Sequence, residues 1–296
     1  MFKTCTITVA LVFSIASSAS AQWQKIAPGV DYRQYKTESR LIHVTRIDLR
    51  TESLRVIGTR EADKGTTVSE YARRNNALVA INGDYFDDKR KPIGLSIGPC
   101  GQWDGTEDTE REGVLAIDDD TARIYAPVGV LKELEEIDAA VSGWPMLVRD
   151  CRAIPSSELP GSDSFTRSPH PRTAVGLSQD RRRLFLVVAE GRKPGIPGLT
   201  LSQLGYFMKN TLGVCSAINL DGGGSSAMWI AGCRVNDVSD GRERSVANHI
   251  GVVLDSDYVE CDATSAVAPS YAASCPRETT GSEASTSVNR TVAPAQ

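Results

Sequence analysis

Short apolar runs that alternate with polar turns constrain the fold more than any other feature of this sequence. The runs are rich in Val and Ile, and their lengths are typical of β-strands. They cover residues 41–49, 54–58, 77–81, 114–117, 123–125, 146–148, 173–177, 184–189, 217–220, 227–230 and 250–254. Polar turns at 118–120 and 178–183 join neighbouring runs and predict two antiparallel hairpins.

Helix signals are fewer and well separated. Thr67 and Glu70 form a capping box that opens a helix ending at about Arg74, and Thr200 with Gln203 opens a second helix. Many strands with a few helices predict an α+β fold. We expect a single domain over residues 22–262 with a mixed, largely antiparallel β-sheet core.

The first 21 residues have the order of a secretory signal peptide: Lys3, an apolar stretch over 7–15, and small residues up to Ala21. The apolar stretch is well short of the roughly 20 residues that span a bilayer. We therefore expect cleavage after Ala21, no stable membrane insertion, and a secreted or periplasmic protein.

Six cysteines remain after the signal peptide, and an even number in an exported chain favours disulfides. Their separations suggest the pairs Cys215–Cys233, Cys261–Cys275 and Cys100–Cys151, although spacing alone does not fix connectivity. Close Cys pairs of the zinc-binding kind are absent from the sequence, so we expect neither a metal nor a cofactor.

The charge pattern limits the classes of partner. The net charge is -4, and Lys and Arg are spread along the chain, which gives no electrostatic support for nucleic-acid binding. Residues 263–296 are rich in Ala, Ser, Thr and Pro, and we expect this tail to be disordered.

The most unusual segment runs from Asn219 to Ser226 and contains Asp221 followed by three glycines. Glycines allow backbone N–H groups to point inward and form an anion-binding nest. Asp221 follows the predicted strand directly, so its carboxylate would lie beside this nest. A flexible turn is the alternative interpretation. A Walker phosphate loop is excluded because no Lys follows the glycines.

Further polar groups stand at strand ends elsewhere. Arg172 and Thr173 open one predicted strand, and Glu190 follows the strand that returns beside it. A guanidinium can bind two phosphate oxygens at once, and His170 lies between two prolines as a candidate acid or base. The segment 80–87 and the turn at Gly143 are further candidates for substrate contacts.

Six segments taken together, in this order, resemble the phosphodiester glycosidase family. They are Ala80–Phe86, Ser142–Val148, Pro171–Gly176, Val187–Arg192, Asn219–Ser226 and Asn248–Gly251. Two departures stand out: Glu190 where relatives carry Asp before Gly-Arg, and Trp144-Pro145 where many have Gly-Pro. The resemblance implies an enzyme acting on a sugar-phosphate or glycopolymer substrate.

On this resemblance we predict a hydrolase that cleaves the glycosidic bond of a sugar-1-phosphodiester. Asp221 and Glu190 would supply the carboxylates, and Arg172 with the glycine-rich amides would hold the phosphate. The predicted catalytic residues are Asp221, Glu190, Arg172 and His170. The predicted substrate contacts are Asn82, Gly83, Tyr85, Gly143, Thr173, Gly222, Gly223, Gly224, Ser225, Ser226, Asn248 and His249.

Two other functions fit parts of the same pattern. A metal-dependent phosphodiesterase would use Asp84, Asp87 and Asp221 as hard oxygen ligands. A non-catalytic protein that binds envelope glycans or sugar phosphates would use the same nest without turnover. The sequence does not decide which carboxylate would act as acid, base or nucleophile.

Overall fold

A computed structural model describes residues 22–107, 113–118, 121–125, 137–259, 261 and 275–276. The predicted signal peptide, and the predicted tail apart from residues 275–276, lie outside the described residues. The sequence-based expectation of an α+β domain built on largely antiparallel sheets is confirmed. Every pairing between described strands is antiparallel rather than mixed.

The described residues form eighteen strands and three α-helices. The strands are β1 Gln24–Ala27, β2 Val30–Lys36, β3 Leu41–Asp48, β4 Leu54–Ile57, β5 Val79–Asn82, β6 Ile97–Gly98, β7 Gly101–Gln102, β8 Gly113–Asp118, β9 Thr121–Tyr125, β10 Ala139–Gly143, β11 Met146–Arg149, β12 Arg152–Ala153, β13 Arg172–Leu177, β14 Arg183–Ala189, β15 Ser216–Asn219, β16 Met228–Ile230, β17 Cys233–Arg234 and β18 His249–Leu254. The helices are α1 Val68–Arg74, α2 Asp163–Thr166 and α3 Leu201–Asn210.

Three sheets organise these strands. The largest has eight strands in the order β1-β2-β3-β14-β13-β15-β11-β12. Two five-stranded sheets have the orders β7-β6-β10-β8-β9 and β17-β16-β5-β18-β4. Both predicted hairpins form, as β8 with β9 and β13 with β14.

The core lies around the central strands of the large sheet. Every residue of β13 is buried, and so is every residue of β14 except the first, because both faces of these strands are covered. A strand covered on both faces reads as a continuous apolar run, which is the pattern seen in the sequence. Both predicted helices begin at complete capping boxes, on Thr67 and Thr200.

All six cysteines expected in the mature chain form disulfides, but the predicted pairing is wrong. The bonds join Cys100 with Cys261, Cys151 with Cys215, and Cys233 with Cys275. Strand pairing decides the partners: β11 lies beside β15, and the Cys151 amide donates to the Cys215 carbonyl at 2.9 Å. Three disulfides are typical of chains that fold in an oxidising compartment. No helix in the described part of the chain is long and apolar enough to cross a membrane.

Replacing Cys151 and Cys215 together with Ser should lower the free energy of unfolding by about 2–5 kcal/mol. Chemical denaturation of the oxidised protein measures this loss. The same comparison in reducing buffer is the control, because the wild type then lacks the bond as well. Equal midpoints under oxidising conditions would show that the bond does not constrain the unfolded chain.

Candidate active site

Strand ends from two sheets meet at one edge of the molecule. In the large sheet, Arg172 at the start of β13 stands opposite Ala189 at the end of β14, and β15 ends nearby at Asn219. In the neighbouring sheet, His249 at the start of β18 stands opposite Asn82 at the end of β5. The polar residues that follow these strands are therefore gathered in one place.

A hydrogen-bonded junction between the two sheets fixes the backbone of Asp221. The Asn82 amide nitrogen donates to the Asp221 carbonyl at 2.7 Å, and the Asp221 N–H donates to the Gly83 carbonyl at 3.1 Å. Thr173 donates its hydroxyl to the Asn82 side-chain oxygen at 2.8 Å. Asn82 and Thr173, both predicted substrate contacts, are completely buried. Their hydrogen bonds position Asp221.

The Asp221 carboxyl is half-buried at the end of β15. Burial raises its pKa above the ordinary value, against a Ser225 hydrogen bond, the charge of Arg244 and the Gly222 amide, all of which lower it. A carboxyl group with a raised pKa is a stronger proton acceptor when it ionises. Asp221 is therefore a better proton acceptor than an ordinary, solvent-exposed aspartate.

Most backbone amides of the predicted anion nest donate to groups of the protein. The Gly223 amide donates to the Pro171 carbonyl at 2.9 Å, and the Ser225 amide donates to the Gly222 carbonyl at 3.2 Å. The Gly222 amide donates a hydrogen bond to the Asp221 carboxylate. Residues Gly223–Ser225 thus close into a single 3₁₀ turn. Ser226, which follows, is buried and donates its backbone amide to the Gly223 carbonyl at 3.3 Å.

The glycines in this loop make room for charged side chains. Gly223 has φ +61°, and a Cβ there would lie 3.2 Å from both terminal nitrogens of Arg192. A side chain at Gly224 would collide with Asp240 and Arg244. The positive φ of Gly223 favours glycine, and a side chain at Gly224 would displace the Asp240–Arg244 pair.

Arg192 is a site residue that the sequence interpretation missed. It is exposed, has φ +58°, and its Nη2 donates to His170 Nδ1 at 3.3 Å. His170 Nε2 in turn donates to the Ser164 carbonyl at 2.9 Å, which fixes the ring. His170 therefore orients Arg192 beside the glycine-rich loop. The Glu-Gly-Arg segment at the end of a predicted strand indicates Arg192 as well as Glu190, and the sequence interpretation selected only Glu190.

Arg172 has a different environment from the one predicted. It is 2% exposed, and its Nε donates to the Leu199 carbonyl at 3.0 Å. Its Nη2 donates to the carbonyls of Phe165 and Ser168, at 2.6 and 3.2 Å. Burial lowers its pKa to about 10. With this many contacts to carbonyls, Arg172 anchors the segment around α2 rather than presenting a free fork to phosphate.

Glu190 is also committed to internal partners. One carboxylate oxygen accepts from His43 Nε2 at 2.9 Å and from the Asp237 amide at 3.0 Å, and the other accepts from Lys193 at 2.6 Å. Burial alone would raise the pKa of Glu190, but these hydrogen bonds outweigh it and hold the pKa below its ordinary value. Both carboxylate oxygens of Glu190, a predicted catalytic residue, thus accept hydrogen bonds from within the protein.

Asn248 and His249 lie deeper than predicted. The Asn248 side-chain oxygen accepts the Asp84 amide at 2.8 Å, and its nitrogen donates to Ser96 at 2.9 Å. His249 is completely buried and stacks on Tyr71, with ring centroids 4.4 Å apart. Burial lowers the pKa of His249 to about 3, so the ring is neutral. Both predicted substrate contacts are completely buried and pack beneath the strand ends.

Aromatic side chains form one wall near Asp221. Trp144 stacks on Phe165 with centroids 5.2 Å apart, and Tyr85 meets Phe165 edge-on at 6.3 Å. The Tyr85 hydroxyl donates to the Trp144 carbonyl at 3.1 Å and accepts from the Asn219 amide at 2.5 Å. A side chain at Gly143 would collide with the Asn219 carbonyl. This close packing joins the aromatic wall to the end of β15.

The carboxylates considered as metal ligands are not gathered into one cluster. Asp84 is buried beside Asn248, whereas Asp87 is exposed and accepts the amides of Lys89 and Lys91, each at 2.8 Å. Among the described residues, no group of three His, Cys, Asp or Glu side chains could hold a metal ion. This geometry does not favour the metal-dependent alternative.

A family model described as phosphodiester glycosidase matches residues 75–253, more than half of the chain. The chain belongs to the phosphodiester glycosidase family. This match confirms the family predicted from the sequence, and it includes Asp221, Arg192 and the strand ends that surround them.

Three solved structures are similar to this chain in fold. The catalytic domain of zebrafish N-acetylglucosamine-1-phosphodiester α-N-acetylglucosaminidase, auto-inhibited by its pro-peptide, superposes with a TM-score of 0.59 at 19% identity, covering 80% of this chain and 84% of that one. A hypothetical protein from Synechocystis gives 0.59 at 16% identity, covering 80% and 64%. A putative exported protein from Burkholderia pseudomallei gives 0.57 at 15% identity, covering 75% and 74%.

One curated relative is the SPbeta prophage-derived uncharacterized protein YomE of Bacillus subtilis strain 168. It is 27% identical over 197 residues, which are 64% of this chain and 30% of that protein. The chain therefore spans about a third of that relative's length. The solved structures share the fold of this chain, and the family model gives its family.

Glu190→Gln should lower the free energy of unfolding by about 3 kcal/mol or more at pH 7, because it breaks a buried charge network. The folded pKa of Glu190 is lowered, so its ionised form stabilises the fold above the ordinary carboxyl pKa. That contribution disappears as the pH falls through the folded value. Thermal melting of both proteins from pH 7 to pH 3 should show the difference shrinking, and a constant difference would contradict this account.

Proposed function

We propose that this protein is an exported hydrolase that cleaves the glycosidic bond of a sugar-1-phosphodiester. The observation that carries the proposal is that the glycine-rich loop has the Asp221 carboxyl hydrogen-bonded to Ser225 and Gly222, and the Arg192 guanidinium beside Gly223. A carboxyl group with a raised pKa and an exposed guanidinium thus contact the same loop. Family membership supports the same reaction class.

Arg192 would hold the phosphate of the substrate. A planar guanidinium can donate two parallel hydrogen bonds to phosphate oxygens. Among the described residues Arg192 has no carboxylate within ion-pair distance, and His170 holds its direction. Its charge would neutralise the negative charge that builds up on the phosphate as the glycosidic bond breaks.

Asp221 would act as the general base. It accepts a proton from a water molecule whose oxygen bonds to the anomeric carbon, and the bond from that carbon to the phosphate oxygen breaks with its electron pair. The phosphate monoester leaves as a stable anion, so the leaving group needs little protonation. One reacting carboxylate is then sufficient, consistent with the internal contacts of Glu190.

The aromatic wall would receive the sugar. The faces and edges of aromatic rings pack well against the apolar C–H faces of a sugar ring, while a polar tip hydrogen-bonds. The wall is coupled to β15 through Asn219, two residues before Asp221. A sugar on this wall would lie close to the reacting carboxylate. The zebrafish enzyme is named for N-acetylglucosamine, so this sugar is the first to test.

Asp221→Asn should abolish hydrolysis of sugar-1-phosphodiesters while leaving the fold intact, because it removes the charge at nearly constant volume. In the wild type, kcat/KM should fall as the pH drops through the raised pKa of Asp221, since the base must be ionised. Turnover of a panel of sugar-1-phosphodiesters at several pH values measures both effects. Asp180→Asn, in the distant turn between β13 and β14, is the control.

Near-normal turnover by folded Asp221→Asn would remove this residue from the mechanism. A single displacement by water also requires inversion at the anomeric carbon. Proton NMR of the first product formed identifies its anomer. Retention would show that Asp221 attacks the carbon itself rather than activating water.

Arg192→Lys and Arg172→Lys should fail in different ways. Arg192→Lys should lose bidentate geometry and cost about 2–4 kcal/mol of transition-state stabilisation, a fall of at least tenfold in kcat/KM. Arg172→Lys should instead lower the melting temperature, because buried carbonyls lose their donor. Kinetics and thermal melting of both variants make the comparison. A reversed pattern would return the phosphate role to Arg172.

A further inference from the structure

A cleft of about 530 Å³ opens beside the glycine-rich loop, and the proposed reaction does not use it. Three arginines line it: Arg90, Arg242 and Arg244. Two carboxylates, Asp240 and Glu243, lie in the same lining. The balance of free charge in the cleft depends on which of these groups are already paired.

Both carboxylates have partners. Glu243 accepts the backbone amide and the hydroxyl of Ser69, each at 2.7 Å, at the start of α1. Asp240 pairs with Arg244 at 2.5 Å, and this hydrogen bond holds the pKa of Asp240 below its usual range. The acidic groups of the cleft are therefore committed to the protein.

Arg90 and Arg242 keep their charge uncompensated. Within the described part of the chain, neither guanidinium lies at ion-pair distance from a carboxylate. Arg90 is held in place by Phe86, whose ring centroid lies 4.9 Å from the guanidinium carbon. Arg242 is exposed to solvent. The chain as a whole carries a net charge of -4, so this concentration of positive charge is local.

Two contacts link the lining of the cleft to the reacting carboxyl. Arg244 Nη1 lies 3.5 Å from the Ser225 hydroxyl, and Ser225 hydrogen-bonds to Asp221. A substrate whose scissile phosphate lies near Arg192 and Asp221 therefore has a positively charged cleft beside it. A cleft with unpaired guanidinium groups attracts anions and raises their local concentration.

We propose that this cleft binds a second phosphate on the aglycone side of the substrate. The substrate class is then a phosphodiester-linked glycan, in which successive units are joined through phosphates, rather than a sugar-1-phosphodiester with a neutral aglycone. This inference rests on the proposed function, because it assigns a role relative to the scissile bond. Arg90 and Arg242 supply the contacts, and Phe86 fixes the position of Arg90.

A remote phosphate contact predicts a specific kinetic pattern. The second phosphate takes no part in bond breaking, so its contacts are the same in the ground state and in the transition state. Such uniform binding changes KM and leaves kcat unaffected. One hydrogen-bonded contact to a charged group accounts for about a tenfold change in KM. The effect should weaken with added salt, because the cleft is open to solvent.

Two substrates test the proposal. Both are N-acetylglucosamine-1-phosphodiesters, or diesters of whichever sugar the panel identifies. One carries methanol as the aglycone, and the other carries glycerol with a second, terminal phosphate. KM and kcat are measured for the wild type, Arg90→Gln, Arg242→Gln and the double variant. Arg182→Gln is the matched control, an exposed arginine in the turn at the opposite end of β13.

The wild type should prefer the doubly phosphorylated substrate through KM. The double variant should raise KM for that substrate about tenfold or more at unchanged kcat, while its kinetics on the methyl diester stay at wild-type values. Turnover of both substrates without preference, or equal losses on both in the variants, would overturn this inference alone. Failure of the wild type to hydrolyse either one would overturn the proposed function and this inference with it.

Discussion

The junction between Asn82, Thr173 and the Asp221 backbone is the interaction on which the rest of the site depends. It joins two sheets whose strands otherwise pair only within themselves, and it does so with buried hydrogen bonds of 2.7 and 2.8 Å. Because the carbonyl and the N–H of Asp221 are both occupied, its backbone cannot shift without leaving a buried group unsatisfied. The carboxyl group is thus held by the fold rather than by a ligand.

Charge is distributed around that junction in two layers. The buried layer consists of Arg172 and Glu190, which hydrogen-bond to internal partners. These hydrogen bonds fix the position of the outer layer. Glu190 follows β14 and reaches His43 on β3, so Gly191 and Arg192 leave the sheet in a defined direction. The outer layer, Arg192 with Arg90 and Arg242, has no carboxylate at ion-pair distance among the described residues. This division explains why polar residues adjacent in sequence have such different environments.

The sequence predicted eleven of the eighteen strands, both capping-box helices and the family, because these depend on local periodicity and on residue order. It did not predict β1, β2, β6, β7, β10, β12 or β17. It failed where long-range packing decides. Cysteine separations could not give the partners, since Cys151 meets Cys215 only through the pairing of β11 with β15. Polar residue types identified the right strand ends. They could not distinguish a side chain that is open to substrate from one that positions other residues. Asn82, Asn248 and Arg172 face inward, whereas Arg192 faces solvent.

Apart from the Phe165 ring, which packs against Trp144 and Tyr85, several contacts of the segment around α2 are made by its main chain. Arg172 binds the carbonyls of Phe165 and Ser168, and His170 binds the carbonyl of Ser164. Carbonyl groups are common to all residues, so most side chains in this segment can change without loosening its attachment. The wall that would meet the sugar can therefore diverge in sequence between relatives while the reaction centre stays constant, which gives the fold a route to new specificities.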